Sequence, residues 1–482
     1  MHLQRVQVPD FRVLKDVDIT FEKDFNPRVF PLGSQNGGGK STLLQLIFIL
    51  LHCSANPERH FALKNLLSGF GLREGEDKRI LAKIDIWDGE KTIQLEFFVC
   101  GDSYIYQTLN YNNNNEHDLN LGLSIFTELE ILQKKISLFP NKERKLKGII
   151  RQLENRQSTI IPYKKFPDDL RMELIGLDID IESVEIDISS PNFLDKIEKE
   201  TRSLLMDEYY KIDSLSKVFS EFSNRLMEFL KLANIKYVTI YSSLDNDSSK
   251  EALFCQINNL DMKKSEQFLN NLSNKVFLSA PSTQVFLFLS KASRKSLLKN
   301  RNDYYEYLER ANSILSGLIA YDFLAVSTLI AAIQRVGKLD FEVARLTGEY
   351  GTNYKQLLKD LNFLLHDKQV NITSDLSELT FTKDISGSKV EIEAEDLSHG
   401  ELKRLSIYIW LKYHNIEDAI VLMDEVDLAL HPDWQYRIPT DLVEWEPSNQ
   451  YILATHSYEL CESLTPSHVK ILEPRLTERQ SK

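Results

Sequence analysis

The stretch SQNGGGKSTLL, residues 34–44, carries the strongest signal in the chain. It follows the phosphate-binding pattern G-x-x-x-x-G-K-[ST], with Gly39, Lys40 and Ser41 in place. Ser34 stands where the first glycine of the pattern is usual, and it keeps a backbone N–H and a small side chain. The strand pattern RVFPLGS precedes the loop and the helix pattern STLLQLIFILLHC follows it, which is the context that a true phosphate loop requires. The stretch therefore predicts a nucleotide-binding loop at the end of a strand.

The residue types in this loop suit the chemistry of a nucleoside triphosphate. Backbone N–H groups and the positive end of the following helix can hold phosphates. Lys40 is expected to reach the terminal phosphates, and Ser41 to ligate Mg²⁺. We therefore predict ATP and Mg²⁺ as cofactors. The predicted nucleotide contacts in the loop are Ser34, Asn36, Gly37, Gly39, Lys40, Ser41 and Thr42.

Two more apolar strand patterns end in polar groups late in the chain. AIVLMDE delivers Asp424 and Glu425 at the end of a buried strand, where open α/β sheets bind their ligands. Asp424 suits a Mg²⁺ ligand acting through water, and Glu425 suits a general base for an attacking water. His456 follows in QYILATHS, where it could sense the γ-phosphate and position that water. A lone histidine is more often a surface residue or a satisfied core residue, so this prediction depends on its neighbours.

The segment LSHGE, residues 397–401, opens a further helix pattern. Ser398 and Gly400 place a small hydroxyl and a bare backbone at the start of that helix, which predicts an anion site. The alternative is an ordinary helix cap, in which Ser398 and Glu401 form a capping box. Taken alone, the segment favours the cap.

The composition is that of a folded protein with an acidic surface. The chain has 482 residues, 42% of them hydrophobic, and a net charge of −13. Such a charge gives no bulk attraction to DNA or to anionic membranes. The four cysteines form no C-x-x-C pair, which favours a reducing cytosol and argues against a structural zinc site. No segment resembles a signal peptide, so we expect a cytoplasmic protein without a membrane anchor.

Three local segments need separate interpretation. The longest apolar stretch, LSGLIAYDFLAVSTLIAAI at residues 315–333, carries Asp322 near its middle and is interpreted as a buried helix rather than a membrane span. The basic segments KERKLKGIIRQ (142–152) and KASRKSLLKNR (291–301) are interpreted as solvated helix faces. Their alternative interpretation is contact with the phosphate backbone of DNA or RNA.

Hydrophobic patterns divide the chain into three parts. Residues 1–120 alternate as strands around the glycine loop, with a meander that turns at Asp88–Gly89. Residues 121–385 are dominated by charged helical patterns, interrupted by the strand-like pieces IKYVTIYSS and KVFLSAPSTQVFLFL. Residues 386–482 return to alternating strand and helix. The predicted fold is α/β, with two halves of one ATPase head separated by a large, mostly helical insertion.

The order of these motifs resembles that of the ABC-type ATPases: a Walker A loop, a signature motif, a Walker B strand with a catalytic glutamate, and a switch histidine. The opening HLQRVQVPDFRVLKDVDITF resembles the RecF, Rad50 and SMC branch, while DEVDLALHP and THSYEL look most like OLD-type and related stand-alone defence ATPases. The resemblance covers residues 1–110 and 386–470. His399 in the signature motif and Ser34 in the loop are departures. The resemblance implies a head made of a mixed sheet plus an antiparallel β-subdomain, and a Q-loop glutamine for which Gln107 is the candidate.

The same resemblance implies how such an ATPase works. Two chains would sandwich two ATP molecules head to tail, as a homodimer or within a higher homo-oligomer. The chain is most like the Septu ATPase (PtuA), which implies a regulatory subunit of a prokaryotic anti-phage defence system that controls a partner nuclease of HNH type. A RecF- or Rad50-like DNA-repair clamp is the alternative. We expect no nuclease activity from the chain itself, because its ten histidines form no pair at metal-ligand spacing and no Toprim-like segment follows His456.

Overall fold

The computed structural model describes residues 1–101 except 36, 233–285 except 243–249, and 313–472 except 322–324, 366, 374–378, 386–387 and 415, together with 288 and scattered positions between 104 and 230. The chain divides into two compact units, Met1–Tyr104 with Ala233–Lys482, and Ile105–Leu232. The elements below all belong to the first unit. Gln107, the basic segment 291–301 and most of the basic segment 142–152 lie outside the described residues.

The strands are β1 (His2–Phe11), β2 (Leu14–Thr20), β3 (Val29–Gly33), β4 (Lys78–Trp87), β5 (Thr92–Cys100), β6 (Ile235–Ser242), β7 (Lys250–Asn258), β8 (Val276–Ala280), β9 (Leu318–Ala320), β10 (Lys368–Ile372), β11 (Leu379–Ile385), β12 (Ser388–Glu393), β13 (Ile420–Asp424), β14 (Gln450–Ala454) and β15 (Lys470–Ile471). The helices are α1 (Lys40–Cys53), α2 (His60–Leu67), α3 (Met262–Ser273), α4 (Ser282–Val285), α5 (Ala325–Thr347), α6 (Asn353–Leu365), α7 (His399–Tyr413), α8 (Pro432–Trp445) and α9 (Tyr458–Glu462), with 3₁₀ turns at Pro57–Arg59 and Ala394–Asp396.

Six strands form an antiparallel sheet in the order β2-β1-β4-β5-β7-β6. Its strands alternate because one face packs on the core, as Leu3, Val6 and Val8 of β1 do. The turn between β4 and β5 lies at Asp88–Gly89, as the sequence predicts. The Asp88 carboxylate accepts from the amides of Glu90 and Lys91, both at 2.8 Å, which stabilises that turn.

Six other strands form a second sheet in the order β15-β3-β14-β13-β8-β9. Every pairing in it among the described residues is parallel, so the mixed sheet expected from the family resemblance is corrected to a parallel one. β14 lies between β3 and β13. This order brings the carboxyl ends of the glycine-loop strand, the histidine strand and the carboxylate strand side by side.

The parallel sheet is buried on both faces, which explains its continuous apolar runs. On β13, Ile420 and Leu422 join the core that contains α1, while Val421 and Met423 join the core that contains α7 and α8. The alternation of side chains along a strand therefore divides four consecutive apolar residues between two cores.

Helix α1 lies in the same core as apolar residues of both six-stranded sheets, and all but two of its residues are buried. This position is why its sequence is apolar on most sides rather than on one stripe. A fully buried leucine or phenylalanine contributes about 1.5–3 kcal/mol relative to an exposed one, so α1 is a main anchor of the first core.

The remaining elements cover the second core. Strands β10, β11 and β12 form a small antiparallel sheet. The long helix α5 turns back into α6, and the Asp340 carboxylate of α5 accepts from the backbone amides of Asn353 and Tyr354 at 3.1 and 2.8 Å. Asp340 thereby satisfies free N–H groups at the start of α6 and fixes the turn between the two helices.

The structure differs from the expected domain boundaries. Residues 233–385, expected in the helical insertion, contribute β6 and β7 to the antiparallel sheet and β8 and β9 to the parallel sheet. The expected buried helix at 315–333 is also corrected, because β9 occupies Leu318–Ala320 and α5 begins at Ala325. A short apolar run does not distinguish a strand from a helix by periodicity alone. In the part of the chain that the structure describes, no helix has the length and apolarity needed to cross a membrane.

Candidate nucleotide-binding site

The glycine loop connects β3 to α1 through a backbone shape that depends on glycine. Gly39 immediately precedes α1 with φ 91°, in the left-handed region, and none of the side chains that the structure describes caps the helix there. A Cβ atom at Gly39 would lie 2.6 Å from Leu14 Cδ2. The backbone angle makes any side chain strained at this position, and the flexible Leu14 side chain would also have to move. The helix start is therefore bare, as an anion site requires.

Lys40 lies in the first turn of α1 and is buried. Its Nζ donates to the backbone oxygen and to the hydroxyl of Ser34, both at 3.1 Å. Burial lowers the pKa of Lys40, while the nearby Asp424, Asp427 and Glu425 carboxylates oppose that change. Ser34, the departure from the usual pattern, thus supplies an acceptor that holds the lysine against the loop.

Asp424 faces the loop from the end of β13. The Ser41 hydroxyl donates to Asp424 Oδ1 at 3.1 Å, while the buried Oδ2 has no hydrogen-bond partner among the described residues. Burial raises the pKa of Asp424 to about 6, opposed by the Ser41 and Gln284 side chains. An unpaired buried carboxylate oxygen beside a hydroxyl oxygen fits a Mg²⁺ site, because this ion prefers oxygen ligands.

Glu425 follows Asp424 in a strained backbone conformation, with φ 51°. Its amide donates to the carbonyl of Ala454 at 3.0 Å, which fixes it beside the end of β14. The exposed His456 lies two residues beyond β14, and its amide donates to Asp427 Oδ2 at 3.4 Å. The sheet thus brings Lys40, Asp424, Glu425 and His456 to one edge.

Gln284 belongs to the same edge, although the sequence did not single it out. It lies in α4, just after β8, the strand that pairs with β13 on the side away from β14. Its Oε1 accepts from Nε2 of Gln45 at 2.6 Å, and its side chain is one of the groups that hold down the pKa of Asp424. A polar residue after a strand-like piece was the available signal for Gln284, while Gln107 stays a prediction because it lies outside the described residues.

The signature segment begins α7. Ser398 and Glu401 form the capping box: the Glu401 amide donates to Ser398 Oγ at 3.2 Å and the Ser398 amide to Glu401 Oε2 at 3.0 Å. Ser398 and His399 are exposed, and no hydrogen bond among the described residues joins this helix start to the glycine loop of the same chain. The cap is present, and it leaves the helix start facing solvent.

Gly400 packs against the segment that follows β13. A Cβ atom there would lie 2.6 Å from the carbonyl oxygen of Ala429, so only glycine permits this approach. Of the remaining predicted contacts, Gly37 lies in the loop, Thr42 lies half-buried in the first turn of α1, and Asn36 is outside the described residues.

Comparison with known proteins agrees with an ATPase. The chain is 25% identical over 205 residues to the Retron Vc95 probable ATPase of Vibrio cholerae serotype O1 biovar El Tor, covering 36% of this chain and 38% of that protein. It is 39% identical over 55 residues to the Retron Ec83 probable ATPase of Escherichia coli, covering 11% of this chain and 10% of that protein. The aligned parts are thus well under half the length of either relative.

Solved structures with partial likeness include two archaeal Smc head domains. One is the Smc head domain with an extended coiled coil, bound to the C-terminal domain of ScpA, from Pyrococcus furiosus, at 13% identity and a TM-score of 0.30, covering 96% of this chain and 91% of that chain. The other is the Smc head domain with a coiled coil and joint from Pyrococcus yayanosii, at 13% identity and a TM-score of 0.31, covering 96% and 93%. The strand order given above, and not this overlap, defines the fold.

The family is decided by a match along most of the sequence. Residues 1–461 match the family described as an AAA ATPase domain. This range contains the glycine loop, both carboxylates of the site and His456. The chain therefore belongs to the AAA ATPase domain family, and the prediction that it is an ATPase is confirmed at the level of that family.

Proposed function

We propose that two copies of this chain bind two ATP molecules between them, head to tail, and hydrolyse them. The observation that carries the proposal is the position of α7: its start is exposed at Ser398 and, among the described residues, makes no hydrogen bond to the glycine loop of its own chain. A helix start with a small hydroxyl attracts phosphate. In a two-fold dimer, the same surface of each chain meets the other chain's loop.

Within each site, the chain's own residues divide the work. Lys40 turns from Ser34 to the terminal phosphates, and the bare start of α1 holds the phosphate oxygens. Ser41 and Asp424 would hold Mg²⁺, which supplies positive charge to the phosphates when bound. Glu425 takes the proton of the attacking water as general base, and His456 orients that water towards the γ-phosphate.

The dimer is tested with Glu425→Gln, which keeps the size of the side chain but cannot take the proton. With Mg-ATP, this variant is expected to accumulate as a dimer in light scattering, because ATP stays in place as the bridge. The matched control adds Ser398→Arg, which blocks the exposed helix start and should return the protein to a monomer. A Glu425→Gln protein that stays monomeric at saturating Mg-ATP would contradict the proposed dimer.

We further propose that this ATPase is the regulatory subunit of a prokaryotic anti-phage defence system, and that it controls a separate nuclease of HNH type. Two observations support the role: the segment LALHP that follows the carboxylates resembles defence ATPases, and the two relatives above are named as probable ATPases of retrons. The alternative, a DNA-repair clamp, is favoured by the opening strands, which resemble the RecF and Rad50 branch.

The test of this role is co-purification. The tagged chain is expressed with its neighbouring genes, and everything retained is identified by intact mass. A retained nuclease establishes the defence role, whereas repair or replication proteins favour the clamp.

The chain alone is expected to leave plasmid DNA intact in Mg²⁺ or Mn²⁺, and nicking that persists in a Lys40→Ala variant would contradict the absence of an intrinsic nuclease.

A further inference from the structure

A buried lysine connects the signature helix to the turn that carries the candidate base. Lys403 lies in α7 and its side chain is 3% exposed. Its Nζ donates to the backbone oxygen of Glu425 at 2.6 Å and to that of Leu428 at 3.1 Å. Nζ also lies 3.8 Å from the centre of the Tyr321 ring. A buried ammonium is costly unless it is well paired, so these acceptors and the ring face make up a built site for it.

The Glu425–Leu428 turn is the element that this lysine holds. The Leu428 amide donates to the Glu425 oxygen at 3.0 Å, which closes the turn, and Lys403 joins the carbonyls at its two ends. The Tyr321 hydroxyl donates to the same Glu425 oxygen at 3.2 Å. A non-glycine residue at φ 51° persists only where its surroundings fix it. Three donors on one carbonyl do so here.

We propose that Lys403, supported by Tyr321, is a positioning residue that sets the direction of the Glu425 carboxylate for hydrolysis. The inference rests on the proposed role of Glu425 as the base. Lys403 acts through the backbone of Glu425 and belongs to neither the glycine loop nor the carboxylate pair. Because it starts from α7, it also makes the orientation of the base depend on the helix whose first residues face the partner's ATP.

This placement predicts a division between binding and turnover. The contacts of the glycine loop, Lys40 with Ser34 and Ser41 with Asp424, do not involve Lys403. Loss of Lys403 should therefore leave the affinity for Mg-ATP unchanged and lower kcat. A wrongly oriented base raises the free energy of the transition state but does not affect the binding of ATP.

The experiment compares Lys403→Met with Lys412→Met. Methionine keeps an unbranched chain and removes the charge, and Lys412 lies on the same helix, 41% exposed, 3.8 Å from Glu446. Lys403→Met is expected to lower kcat about tenfold or more, with the Kd for Mg-ATP within about threefold of wild type, while Lys412→Met keeps both values. Tyr321→Phe, which removes one donor to the same carbonyl, should lower kcat less. In combination with Lys403→Met, it should lower kcat by less than the product of the two single effects.

Each outcome decides the inference. A Lys403→Met protein with wild-type kcat, or a folded one that has lost ATP binding, overturns it. If Lys403→Met does not fold, Tyr321→Phe decides: a lowered kcat at constant Kd supports the inference, and an unchanged kcat overturns it. Glu425→Gln is run in parallel. If Glu425→Gln hydrolyses ATP at the wild-type rate, the proposed function and the inference are both overturned. If Glu425→Gln is inactive but Lys403→Met has wild-type activity, only the inference is overturned.

Discussion

Gly39 is the residue where the glycine loop becomes α1, and it offers a prediction with a close control. Gly39→Ala forces a Cβ into a left-handed backbone at φ 91° and towards Leu14, whereas Gly75 has φ 82° and open space around it. Each alanine is expected to cost about 1–2 kcal/mol of unfolding free energy from the backbone alone. Only Gly39→Ala should also lose Mg-ATP binding. Urea unfolding and titration with a fluorescent ATP analogue separate the two effects, and undiminished binding by Gly39→Ala would contradict the proposed phosphate cradle.

Asp424 is a site where function opposes stability. Its pKa of about 6 lies above the ordinary 3.8, so the folded state binds this proton more tightly than the unfolded chain does. The contribution of Asp424 to the free energy of unfolding is therefore complete below about pH 4 and is lost as the pH rises through 6. The loss lowers the free energy of unfolding by up to about 3 kcal/mol. In Mg²⁺-free buffer, Asp424→Asn should unfold at a higher urea concentration than wild type at pH 7.5, with no difference at pH 4. With Mg²⁺ present, the variant should not hydrolyse ATP, whereas wild type should. A destabilised variant at pH 7.5 would show that the carboxylate is better compensated than its burial implies.

Single residues also show how far a sequence can be interpreted. Lys40, Ser41 and Asp424 were predictable because a short local pattern specifies their place in a loop or at a strand end. Gln284 and Lys403 were not predictable, because each contacts residues more than twenty positions away along the chain, which only the fold brings close. Lys403 in particular has the sequence signal of any helical lysine, and only its burial against the Glu425–Leu428 turn distinguishes it.

Helices α7 and α8 are joined by a buried ion pair, which gives a prediction about secondary-structure elements. Arg404 Nη2 lies 2.5 Å from Asp441 Oδ2, and the two side chains are 5% and 3% exposed. Asp441→Ala leaves a buried cation unpaired and should cost about 3–5 kcal/mol in urea unfolding. The exposed Arg5–Asp18 pair is the control, since Asp18→Ala should cost under about 1 kcal/mol. Equal costs for the two variants would contradict the importance of burial.

Elements with a clear period or with clear polar boundaries were predicted well, and those with neither were not. In the meander, residues 82–87 of β4 and 92–97 of β5 alternate between buried and partly buried, and β13 is a short apolar run bounded by polar residues. The stretch 315–333 is apolar throughout and contains both β9 and the start of α5, so its composition suggested a single helix. Its division depends on β9 pairing with β8, a contact that no local pattern specifies.

For the molecule as a whole, the α/β class followed from apolar runs that alternate with helices, whereas the boundaries of the ATPase head did not. β6 and β8 were predicted only as strand-like interruptions of a helical insertion, and β7 was not predicted. β7 pairs with β5 and β8 pairs with β13, each more than a hundred residues away along the chain, and β6 joins the antiparallel sheet through β7. The local periodicity of a sequence does not predict which distant strands pair with one another.

The proposed dimer makes its sharpest prediction when two inactive variants are mixed. Lys40→Met removes the lysine from its own loop, and Ser398→Arg blocks the helix start offered to the partner, so each variant alone should hydrolyse no ATP. A mixed dimer regains one complete site, from the intact loop of one chain and the intact α7 of the other. Because only mixed dimers hold a complete ATP site, equal amounts should restore up to about half of wild-type activity in a steady-state phosphate-release assay. A mixture of Lys40→Met with Glu425→Gln is the control and should stay inactive, because both changes fall on the loop side of the site and no pairing restores it. If the first mixture is as inactive as its parts, the two motifs act within one chain.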